Sequence, residues 1–138
     1  MMKTRLFFAA FLMMISGLLI AQTPVPLVVK SELSRRYPNA KKAVWSKTGG
    51  NYEAKWKSKT DGQSEATFTP FGAFVSVTTA TPIEFLPASI NGYIKGHYNS
   101  TIADARKNVS VVGKITYRIK TKTGKTVIFD QDGKCLSR

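Results

Sequence analysis

Two phrases of this chain coincide. "FTPFGAF" at 68–74 and "FDQDGKC" at 129–135 set Phe68 over Phe129 and Gly72 over Gly133, each pair 61 positions apart. Self-similarity at a fixed offset constrains a fold more tightly than composition does, because each short unit must bury its apolar side against something. The same offset carries Val25, Pro26, Val29, Leu33 and Tyr37 onto Leu86, Pro87, Ile90, Ile94 and Tyr98. The spacing of four lays these apolar residues along one stripe of a short helix. Pro26 and Pro87 suit the first helical turn, where a missing N–H leaves no bond unmade.

Alternation follows each helix. In "NYEAKWKSK" (51–59), Tyr52, Ala54 and Trp56 take one side, and Glu53, Lys55, Lys57 and Lys59 the other. In "TYRIKTK" (116–122), Tyr117, Ile119 and Thr121 oppose Arg118, Lys120 and Lys122. Period two with aromatic and β-branched residues predicts strands with one buried and one wet side. "SEATF" (64–68), "AFVSVTT" (73–79), "TVIF" (126–129) and "KCLSR" (134–138) read as further strands, with weaker ones at "AVWSK" (43–47) and "ADARKNV" (103–109). Gly72 and Gly133 close tight turns.

The pattern predicts an α+β fold built by tandem duplication, each copy a short helix packed on a four-stranded antiparallel sheet. The copies run 22–80 and 81–138 within one compact domain, 22–138. Units this small are marginal alone, so the copies are expected to share a core or a continuous sheet. Residues 1–21 read as a signal peptide: "MMKTR" is basic, and the sixteen residues "LFFAAFLMMISGLLIA" carry no charge. That run is shorter than the ~20 residues of a membrane span. No cysteine lies near the cleavage region, so a lipoprotein is not expected. The localisation predicted is periplasmic or secreted.

Loss of Lys3 and Arg5 with the leader takes the formal charge from +13 to +11. Such a surplus favours polyanions or an acidic protein face and says nothing about fold. Cys135 is the single cysteine, which excludes an intrachain disulfide, and it reads as a small apolar residue. His97 is the single histidine, so multi-histidine metal sites are excluded. "DQDG" (130–133) opens like a calcium loop, but no glutamate follows at the twelfth position, and it reads as a turn. Glu32, Glu53, Asp61, Glu65, Glu84 and Asp104 are scattered without a visible pair. No catalytic residue, metal site or cofactor is predicted, and an enzyme is not expected.

Taken together, Pro26, Val29, Leu33, Tyr37-Pro38 and Trp45, then "NYEAKW" (51–56), then Phe68, Gly72 and Phe74, with a degenerate second copy, resemble the PepSY-like family. That family is also described as beta-lactamase-inhibitor-like. The resemblance covers Val25 to Leu136 and implies a small exported bacterial protein of tandem helix-plus-sheet fold, in the periplasm of a Gram-negative cell. It carries over no catalytic residue. This chain departs from the pattern at Asn99, Cys135 and its basic surface.

Two kinds of function remain. The first is a non-enzymatic binding protein, an inhibitor-like partner of an envelope protein, anchored through Trp45 and Trp56. The second is an envelope polyanion binder, for lipopolysaccharide or acidic glycan, acting through Lys55, Lys57, Lys59, Arg118, Lys120 and Lys122 on a basic sheet face. Nucleic acid ranks below both, since export removes the protein from it.

Overall fold

A computed structural model of the chain describes residues 23–60 and 62–137. The leader predicted over 1–21 lies outside the described residues. Helix α1 (Leu27–Arg36) starts behind Pro26, whose carbonyl accepts the N–H groups of Val29 and Lys30 at 3.1 and 3.2 Å. Helix α2 (Ala88–Tyr98) starts behind Pro87 and stops at Asn99, which takes the left-handed conformation (φ 46°). Asparagine tolerates that conformation and satisfies the helix end by bonding back to the Lys95 carbonyl at 3.1 Å.

The strands are β1 (Val44–Thr48), β2 (Asn51–Ser58), β3 (Gly62–Phe68), β4 (Phe74–Ala80), β5 (Ile102–Ser110), β6 (Ile115–Thr121), β7 (Thr126–Asp130) and β8 (Cys135–Ser137). They form one eight-stranded sheet in the order β1-β2-β3-β4-β5-β6-β7-β8, and every neighbouring pair is antiparallel.

This corrects the predicted architecture of two copies, each a helix on its own four-stranded sheet. The overturning contact is β4 against β5, where Ser76 to Ala80 pair with Ser110 to Arg106. Left as edges, both strands would present unpaired N–H and C=O groups, and pairing them removes two edges at once. The predicted weak strand at 103–109 is the longest in the sheet, nine residues, because it is an interior strand.

Both helices lie on one side. Val29 and Leu33 of α1 pack on Tyr52, Ala54, Trp56, Ala66 and Phe68. Ile90 and Ile94 of α2 pack on Ile102, Ala105, Tyr117, Ile119, Val127 and Phe129. The cross-strand line Ala66–Val77–Val109–Ile115 joins the two clusters over β3 to β6. The other side of the sheet carries neither helix, and the polar half of each alternation faces it.

Each helix start is held by a glycine turn. Gly72 and Gly133 have φ of 86° and 83°, a region that costs other residues steric strain. A Cβ on Gly72 would meet Val28 Cγ2 at 3.0 Å, and one on Gly133 would meet Ser89 Oγ at 2.1 Å. Each of these glycines therefore turns the chain and lets a helix N-terminus approach the turn.

Candidate functional site

The helix-free side of the sheet contains a cleft of about 550 Å³ that runs from β2 to β6. Among the described residues its walls carry Lys42, Lys55, Lys57, Arg106, Arg118 and Lys120 against Glu65 and Asp104. Strand register explains the gathering. Lys57 stands opposite Gln63, Ala80 opposite Arg106, and Arg106 opposite Arg118, so one transverse row crosses β2 to β6. The next row sets Lys55 opposite Glu65, Thr78 opposite both Glu65 and Asn108, and Asn108 opposite Thr116.

Arg106 is fixed in place. Its Nε donates to Asp104 Oδ2 at 3.1 Å, and its Nη2 reaches over the small Ala80 to donate to Gln63 Oε1 at 3.0 Å. Lys55 lies 3.5 Å from Glu53 Oε1. Among the described residues no ion pair forms on Lys42, Lys57, Arg118 or Lys120. Arg118 faces Arg106 directly across the strand pair, where like charges repel. Four cations of the cleft therefore make no close ion pair among the described residues, although Lys120 stands opposite Asp104 in the strand register.

The predicted rows separate here. Lys55, Lys57, Arg118 and Lys120 line the cleft together, while Lys59 and Lys122 do not. Lys122 instead borders a shallower hollow with Lys95, Asn99, Ser100 and Thr101. The tryptophans lie on the helix side. Trp56 is 6% exposed with its ring 5.1 Å from that of Tyr37, and half-buried Trp45 packs against Phe68 at 6.4 Å. Trp56 is thus a core residue and not an exposed anchor for a partner, because α1 and Tyr37 cover the ring that alternation alone left open.

One pair escaped sequence reading. Glu53 and Glu65 share a hydrogen bond on the open side, where the β2–β3 hairpin brings acids twelve residues apart together. Burial pushes the Glu53 carboxyl above the usual carboxylate range, the Glu65 carboxyl adds to this, and Lys55 opposes it. Hairpin register was the signal that would have found the pair, since the β2–β3 pairing sets Lys55 opposite Glu65. Elsewhere, Asp130 Oδ1 accepts the backbone N–H groups of Asp132 and Lys134, both at 2.9 Å, so this carboxylate organises a turn. His97 stacks on Tyr93 at 3.8 Å between ring centroids. Cys135 is half-buried against the α2 cluster.

The molecule is thus a single antiparallel sheet with two helices on one side and a basic cleft on the other. No family model matches the chain, and no curated protein matches it in sequence. Solved structures do match. A protein from Bacteroides eggerthii, described as periplasmic, is 18% identical and superposes with a TM-score of 0.72 over 83% of this chain and 88% of its own. A DUF2874 family protein from Bacteroides ovatus is 21% identical, with a TM-score of 0.68 over 83% of this chain and 86% of its own. A BLIP-like protein from Bacteroides fragilis is 22% identical, with a TM-score of 0.64 over 85% and 86%. The chain thus has the BLIP-like fold also seen in DUF2874 proteins. No described helix is long and apolar enough to cross a membrane.

Proposed function

We propose that this protein is an exported, non-enzymatic binding protein of the bacterial periplasm whose acidic ligand seats on the helix-free side of the sheet. The observation that carries the reading is the cleft's charge: among the described residues, six cations against two carboxylates line it, on a side of the sheet that neither helix covers. Holding so many like charges together costs folding free energy, and an anionic ligand relieves that cost. Export is supported by the basic, then apolar leader over 1–21 and by structural likeness to proteins described as periplasmic.

A second reading, an inhibitor-like partner of an envelope protein, draws on the likeness to a BLIP-like protein. The two readings differ in salt response, because an apolar protein interface survives salt that screens a charged one. The test is crosslinked capture from an envelope extract, with the protein as bait at low and high salt. The K55E/K57E/R118E/K120E variant should lose the captured ligand while keeping the native circular dichroism spectrum. Capture that persists in the folded variant places the ligand elsewhere.

A further inference from the structure

The cleft carries cations toward both of its ends and a hydrogen-bonding stretch between them. Lys42, Lys55 and Lys57 stand at the β1–β2 end, and Arg106, Arg118 and Lys120 at the β5–β6 end. Lys57 and Arg118 occupy one transverse row from β2 to β6, four strand spacings of about 4.8 Å, so their backbones lie about 19 Å apart along the sheet. Between them the cleft presents Gln63, which the Arg106 guanidinium engages, and in the neighbouring row the Glu65 carboxylate, followed across the same side of the sheet by Thr78 and Asn108. Thr78 and Asn108 are already joined at 2.9 Å, which fixes their orientation.

Building on the binding function proposed above, we infer that the ligand is an acidic polysaccharide lying across the strands, with acid groups seated at each end of the cleft and sugar hydroxyls over the middle. A single small anion satisfies one cation group and leaves the other unpaired. A protein partner fits the surface less well. The hot spots of protein interfaces are buried aromatic and apolar anchors, and lysine is depleted there. Among the described residues of this cleft the exposed large apolar side chain is Val44, and Trp56 is turned to the core. The β5–β6 end forms the stronger seat, because Arg106 is prepositioned by Asp104 and Gln63 and an anion there offsets the like charges of Arg106 and Arg118, which stand opposite each other in strand register.

The test is calorimetric titration of the protein with galacturonate oligomers of increasing length, with uncharged dextran and inorganic phosphate as comparisons. Affinity should rise with length and level off once the oligomer spans both ends, and added salt should weaken binding. Dextran should not bind, and phosphate should bind at least about tenfold more weakly than the long oligomer. R118E/K120E and K55E/K57E should each reduce affinity for the long oligomer about tenfold or more and abolish the length dependence. Affinity that is independent of length, or phosphate binding as tightly as the polymer, overturns the inference. If no oligomer binds but an acidic protein is captured from the envelope in a manner lost in both variants, the inference fails and the binding function stands. If neither ligand depends on these residues, both fall.

Discussion

Single residues set the sharpest terms of this fold. Replacing Gly133 by alanine forces φ of 83° on a residue with a Cβ and drives that atom into Ser89 Oγ. The expected loss is about 2 kcal/mol or more, read as a lowered denaturation midpoint, whereas Gly113→Ala, with open space around the Cβ, should cost only the backbone term of about 1 kcal/mol. Equal effects at the two sites would show that the helix contact is immaterial. Two carboxylates respond to pH in opposite directions. Hydrogen bonds from Arg35, then Arg36, hold Glu32 down to about 2, so its contribution is present above the ordinary value of 4.5 and is lost as pH falls toward 2. Glu32→Gln should therefore flatten the acid limb of the stability curve. Glu53 is raised, so its ionised form weighs against the folded state, and stability falls as pH rises through its folded-state value. Glu53→Gln should raise stability near neutral pH by about 0.2–1 kcal/mol, since relief of burial and of Glu65 outweighs a surface pair with Lys55. A lower midpoint for Glu53→Gln contradicts that balance.

Elements were legible in the sequence to the extent that their periodicity was local. The spacing of four over Val25–Tyr37 and Leu86–Tyr98 located both helices, and alternation located β2 and β6 to within a residue or two. The β4–β5 pairing was not legible, because "AFVSVTT" reads alike at an edge or in an interior, and its partner lies beyond α2. The alternation that placed Trp56 opposite the lysines also could not say whether a helix covered it. One substitution tests the pairing. Val111 N–H donates to the Val75 carbonyl and Thr81 N–H to the Ala105 carbonyl, both at 2.9 Å, so in the two-residue period of the ladder Thr79 N–H also points at β5. Thr79→Pro should cost about 2 kcal/mol or more by leaving an interior acceptor unpaired. Near-native stability would mean that β4 behaves as an edge. Packing gives an independent measure: Phe129→Ala, at a fully buried site under α2, should cost about 3–5 kcal/mol.

At the scale of the whole molecule, the sheet separates two jobs. One side buries the apolar halves of its strands under α1 and α2, and the other gathers the polar halves into a basic cleft. Sequence alone supplied the lysine rows and the expectation of one basic sheet face, but not the β4–β5 register that brings β2 and β6 onto one surface or the cleft between them. The most direct test of that cleft as the binding site is an amide chemical-shift titration of isotope-labelled protein with an acidic oligosaccharide. The account predicts perturbations concentrated on the cleft residues of β2, β3, β5 and β6, around Lys57, Gln63, Arg106 and Arg118, and their disappearance at high salt. Perturbations confined to α1, α2 or the turns, with the cleft residues unmoved, would contradict it.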